Sequence, residues 1–93
     1  MKISGIKDIT YEGNSVDINL GVIFDEETMV RWNLIEPIIQ VVYNTDGQIA
    51  WDYMELIDQG MIVHAFEFDE KERKQIEKYL RERHITEKIE KKL

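Results

Sequence analysis

The sequence predicts an α+β fold: a curled antiparallel meander of five to six strands with a C-terminal helix packed on one face. Three observations predict it. Apolar residues alternate at period two through much of the first 68 positions, turn signals punctuate them at short intervals, and from Asp69 onward strong helix formers take over. A pleckstrin-like small barrel capped by its last helix is the alternative closure of the same elements. The expected organisation is a single domain over 1–93, with an acidic sheet over 1–68 and a C-terminal helix over 69–93 broken near 84–86.

The first hairpin joins Ile6–Tyr11 to Val16–Phe24 around Gly13-Asn14, a dipeptide able to take the positive φ of a two-residue turn. Its register sets Glu12 opposite Ser15, Tyr11 opposite Val16 and Ile9 opposite Ile18. Tyr11, Ile9, Val16, Ile18, Leu20, Val22 and Phe24 then share the core face, while Asp8, Thr10, Asp17 and Asn19 take the other. Gly21, inside this strand, marks a bend or the close approach of another backbone.

Beyond the acidic turn Asp25-Glu26-Glu27, Val30, Trp32 and Leu34 alternate with Arg31 and Asn33, which favours a strand. A short helix opening near Asp25, with Glu26 and Glu27 in its first turn, competes because acidic residues there suit the helix dipole. Glu36-Pro37 ends the segment in either case.

The hairpin from Ile38 to Met54 carries the strongest turn signal. Asn44 can accept from the backbone two residues on, and Gly47 supplies a left-handed position, so a three-residue loop is expected. That register pairs Tyr43 with Ile49, Val41 with Trp51, Gln40 with Asp52, Ile39 with Tyr53 and Ile38 with Met54. Ile39, Val41, Tyr43, Ile49, Trp51 and Tyr53 become core. Ile38, Val42, Ala50 and Met54 form a second face around Gln40 and Asp52, too apolar for water.

Residues 52–59 admit a short helix, with Asp52 and Glu55 as an acidic capping box and Gly60 as its stop. They also admit a strand turning at Gln59-Gly60, which pairs Ile57 with Ile62, Glu55 with His64, Tyr53 with Phe66 and Trp51 with Phe68. Met61–Phe68 is expected as a strand in either version. Asp69 and Glu72 form the capping box of the helix over 69–83, whose apolar stripe holds Ile76, Tyr79 and Leu80. Ile85 falls off that stripe, so His84-Ile85-Thr86 is expected as a kink or break, with Thr86 capping a last helix whose Ile89 and Leu93 are too few to anchor it internally.

No catalytic or cofactor motif is present, and no cofactor or metal is expected. There is no cysteine, hence no disulfide, thiolate nucleophile or cysteine-based zinc site, and a cytoplasmic setting fits best. No apolar run approaches the ~20 residues of a membrane span. His64 with Glu55 and Asp52 is the sole constellation that resembles a metal-assisted hydrolytic site, and the ordinary explanation is a half-buried histidine satisfied across the strand.

Charge is distributed unevenly. Residues 69–93 hold nine of the 12 Lys and Arg, leaving three basic and 12 acidic residues before them, within a formal net charge of -7. This argues against direct binding to nucleic acid or an anionic membrane. It favours a non-enzymatic protein-interaction module that docks on a basic partner surface and blocks nucleic-acid access there, with Asp8, Asp17, Asp25, Asp52, Ile38, Val42 and Met54 as contact candidates. The alternative is a binder of a nucleotide or metabolite with a pocket lined by Trp51, Tyr53, His64 and Phe66. The tail from Glu82 to Leu93, without an evident partner in its own chain, points to a homodimer.

Overall fold

The structure, a computed structural model, describes all 93 residues. Five strands, β1 (Lys2–Glu12), β2 (Ser15–Ile23), β3 (Pro37–Asn44), β4 (Ala50–Asp58) and β5 (Met61–Ile62), form one sheet in the order β1-β2-β3-β4-β5, every neighbour antiparallel. The helix α1 (Glu26–Arg31) interrupts the meander, and α2 (Glu70–Glu82) and α3 (Ile85–Lys92) follow it. The sheet stays open rather than closing into a barrel.

The β1–β2 hairpin has the expected register, with Glu12 opposite Ser15, Tyr11 opposite Val16 and Ile9 opposite Ile18. Gly13 turns it at φ 54. Further along, Ser4 and Lys7 are bulged out of β1, which raises its twist. Their side chains lie over Gly21, where a Cβ would run into the Ser4 hydroxyl, so this glycine marks a close approach.

The segment after β2 is helical, not a strand. Asp25 Oδ1 accepts from Thr28 N–H at 2.8 Å and opens α1. Asn33 closes it in the left-handed region at φ 54, with Asn33 N–H donating to Val30 C=O and Leu34 N–H to Met29 C=O. These are the paired bonds of a helix stop in which asparagine replaces the usual glycine. The Asp25 side chain thus opens α1 and the left-handed backbone at Asn33 closes it, against the period-two pattern of Val30, Trp32 and Leu34.

The β3–β4 loop keeps its predicted chemistry but not its length. Asn44 Oδ1 accepts from Asp46 N–H at 2.8 Å, and Gly47 sits at φ 87. Pairing nevertheless begins at Asn44 opposite Ala50, and Asp52 is bulged out between Tyr43–Trp51 and Val42–Tyr53. The expected register is thus displaced by two residues near the turn and by three beyond the bulge, giving Val41–Met54, Gln40–Glu55 and Ile39–Leu56. Two tertiary contacts widen the loop: Thr45 N–H is taken by Asn14 C=O of the neighbouring turn at 2.8 Å, and Ile49 packs against the core. Tyr53 consequently leaves the core face, while Met54 and Leu56 join it.

β4 is a strand, and Gln59-Gly60 is its turn, at φ 52 and φ 80, with Ile57 opposite Ile62 as expected. The return strand is much shorter than Met61–Phe68. It ends after Ile62 because the chain turns at His64-Ala65 and folds Phe66 inward, against Phe24 (ring centroids 5.6 Å), Trp32 (5.3 Å) and Phe68 (5.1 Å). The pairs Glu55–His64, Tyr53–Phe66 and Trp51–Phe68 are absent from the sheet.

One core cluster draws Val16, Ile18, Leu20, Ile39, Val41 and Leu56 from the sheet together with Ile76 and Leu80 of α2 and Ile85 and Ile89 of α3. The α2 capping box forms as predicted: Asp69 Oδ1 accepts from Glu72 N–H at 2.7 Å and Glu72 Oε1 from Asp69 N–H at 3.0 Å. The break falls at His84, which is left-handed at φ 53. That single residue resets the helical phase and swings Ile85 and Ile89 onto the sheet, where they are 2% and 0% exposed. The tail is therefore anchored within its own chain, and the contact that suggested a second copy is supplied internally.

Candidate functional site

With α2 and α3 on one face of the sheet, the other face is left without a layer. Strand register sorts its side chains into rows. Asp8, Asn19, Gln40 and Glu55 form one row across four strands, Thr10, Asp17, Val42 and Tyr53 the next, and Gly21, Ile38, Ile57 and Ile62 a third. Asn19 Nδ2 donates to Asp8 Oδ1 at 2.6 Å, and Gln40 Nε2 donates to Asn19 Oδ1 at 3.3 Å, so the polar row is fixed sideways. Gln40 thus faces Glu55, not Asp52, which stands exposed at the β4 bulge.

The apolar part of this face is real but differs from expectation. Ile38 and Val42 lie on it, Met54 does not, and Ile23, Ile57 and Ile62 extend it. Val42 is only 4% exposed, flanked by Asp17 and Tyr53 across the strands. The Tyr53 hydroxyl is held above its ordinary value of 10.0, first by desolvation and then by the negative charges of Glu55, Asp17 and Asp52.

All five ion pairs of the molecule lie in the helices or at the α2–α3 junction: Arg31–Glu27, Arg73–Glu77, Lys74–Glu70, Lys78–Glu82 and His84–Glu87. The carboxylates of the sheet, Asp8, Glu12, Asp17, Asp52, Glu55 and Asp58, form no ion pair. Asp25 has a different part: its carboxylate is pulled below 3.8 by hydrogen bonds from Thr28, as a helix cap, and it stands outside the open face.

Of the pocket candidates, Trp51, Tyr53 and Phe66 line one depression of about 400 Å³, together with Glu67, Phe68 and Arg73. His64 lies outside it, exposed, beside a smaller hollow of about 140 Å³ that it shares with Glu55. No three carboxylate or imidazole groups converge on a point where a metal ion would sit. The Trp51 ring carries the Arg73 guanidinium 5.9 Å from its centroid and meets Tyr43 edge-on at 5.9 Å, and its indole N–H is buried without an acceptor. Glu55, Ile57 and Ile62 escaped prediction as members of the open face because their placement depends on the register of β4. Glu67, Phe68 and Arg73 come to the depression through the chain's departure after β5.

Fold and surface together define a two-layer α+β protein, with helices over one sheet face and an acidic, partly apolar face opposite. No family model matches the chain, and no curated protein or solved structure compared with it matches either. No helix is long and apolar enough to cross a membrane.

Proposed function

We propose that the protein is a non-enzymatic interaction module whose open sheet face docks on a basic surface of a partner protein, of the kind that otherwise receives nucleic acid. The observation that carries this is the segregation of charge. Five of the eight helix carboxylates sit beside an Arg, Lys or His, whereas Asp8, Glu12, Asp17 and Glu55 of the uncovered face have no such neighbour. Unmatched charge on a partly apolar surface steers a cationic partner into contact, and Ile38, Ile57 and Ile62 then supply area to bury. Blocking nucleic-acid access is the simplest consequence of occupying such a site, since the occupant presents carboxylates where phosphates would lie.

The experiment is capture of the partner from the native host, followed by kinetics with the purified pair. Association slows by about tenfold or more as salt rises from low ionic strength to ~0.5 M, and the combined substitution Asp8→Asn, Asp17→Asn, Glu55→Gln slows it at fixed salt. Partner binding should also compete with the partner's nucleic acid. A salt-independent association rate, or an interface mapped to the helix layer, would overturn the proposal.

A further inference from the structure

The sheet has one edge that its own chain leaves unfinished. β5 pairs with β4 only at Ile57 and Asp58, and the last bond across that edge is Val63 N–H to Leu56 C=O at 2.9 Å. Along an antiparallel strand the backbone groups alternate between the two sides, so the amide and carbonyl of Met54 turn to the same side as those of Leu56. No backbone bond from the segment after β5 reaches Met54. An unpaired edge of this kind is a template for another strand.

The surroundings suit an added strand. The chain from Phe66 to Phe68 runs alongside without pairing and leaves the depression of about 400 Å³, floored by Trp51, Met54, Phe66 and Phe68. The depression is bordered by Asp52 and Glu67, with Glu55 beside the adjoining hollow, and none of these three carboxylates forms an ion pair. Arg73, its one cation, is 3.6 Å from Glu77. The opposite edge of the sheet is protected by the Ser4 and Lys7 bulges and by Lys2.

We propose that the β4 edge from Asp52 to Leu56 accepts an extended peptide as a further strand, with apolar and basic side chains in alternation. Backbone bonds to Met54 supply the pairing. Alternate apolar side chains fill the aromatic floor, and lysine or arginine meets Asp52, Glu55 and Glu67. Charge decides against the other occupants. A second copy's β4 would set Asp52 and Glu55 against their own kind, and a nucleotide would bring phosphate to three carboxylates. Glu55 stands at the margin of both this site and the open face, but the Met54 backbone and the aromatic floor lie outside that face, and the site does not depend on docking there.

The probe is a capped octapeptide of alternating valine and lysine, titrated into the isotopically labelled full chain and followed by NMR. The expected result is saturable shifts confined to residues 51–56 and 66–73, with slowed exchange of the Met54 amide. Asp52→Lys with Glu67→Lys weakens binding by about tenfold or more, whereas Asp8→Asn with Asp17→Asn changes it by less than about twofold. Methylating alternate peptide nitrogens on the pairing side abolishes it. The proposal fails if the methylated peptide binds equally well, if the shifts map instead to β1, β2 or β3, or if saturable binding is absent. It fails equally if ATP shifts these residues in place of the peptide, or if the Met54 amide is protected by self-association alone.

Discussion

The docking of α3 can be tested by a single truncation, Ile89→Ala. Ile89 is 0% exposed and packs in the main core cluster with Ile85, Leu80 and the sheet. The change removes three carbons, at about 0.8 kcal/mol each for lost burial, or about 2.5 kcal/mol, and incomplete collapse around the vacated volume raises the cost to about 3–4 kcal/mol. A chain of this length has a total stability of roughly 5–14 kcal/mol, so this is a large fraction. In urea, with a slope of roughly 1–1.5 kcal/mol per molar, the midpoint should fall by about 2–4 M, followed by far-UV circular dichroism. Leu93→Ala is the control: Leu93 is 68% exposed, and its loss should cost less than about 0.5 kcal/mol. If both variants shift the midpoint equally, or if the Ile89→Ala effect depends on protein concentration, α3 docks on something other than its own sheet.

Replacing His84 by Gly should leave stability unchanged or raised by a few tenths of a kcal/mol, whereas Val at this left-handed position should cost about 1–2 kcal/mol, measured by thermal unfolding. Asp58 accepts from Glu36 N–H at 2.7 Å and Ile35 N–H at 3.1 Å and so fastens the entry of β3 to the end of β4; Asp58→Ala should cost about 1–2 kcal/mol and loosen the Ile35 and Glu36 amides to hydrogen exchange. Because the Asp25 carboxyl is held below 3.8 in the folded chain, its stabilising effect is complete above about pH 4 and disappears as pH falls through the lowered value, and Asp25→Ala should flatten the acid limb of the stability curve. Tyr53 and Tyr43 are both held above 10.0, so each favours the folded state below pH 10 and that contribution is lost as pH rises through the raised values. A phenolate absorbance titration should show the Tyr53 step moving down in Asp17→Asn, Asp52→Asn.

The sequence by itself determined what depends on neighbours a few positions apart. The first hairpin's register follows from Gly13 and period two. Asn44 bonding Asp46, the Gln59-Gly60 turn and the Asp69–Glu72 box are each closed within three residues, and so they form wherever the chain goes. The open face was foreseen as a surface too apolar for water, and Ile38, Val42 and Asp17 lie on it. The start of helix α1 was legible too, in Asp25 with Glu26 and Glu27, but the alternation of Val30, Trp32 and Leu34 with Arg31 and Asn33 obscured it.

Contacts between distant segments decided the rest. The β3–β4 register depends on Asn14 capturing the Thr45 amide and on Ile49 entering the core, partners supplied by the first hairpin and the sheet. β5 is short because Phe24 and Trp32, far back in the chain, draw Phe66 inward, and that departure alone leaves the β4 edge free. Ile85 and Ile89 look unpartnered on a continuous helical wheel, and only the left-handed turn at His84 brings them to the core. Turn chemistry is local and survives any tertiary setting, whereas register, strand length and helix docking are chosen by whichever distant apolar group completes the packing.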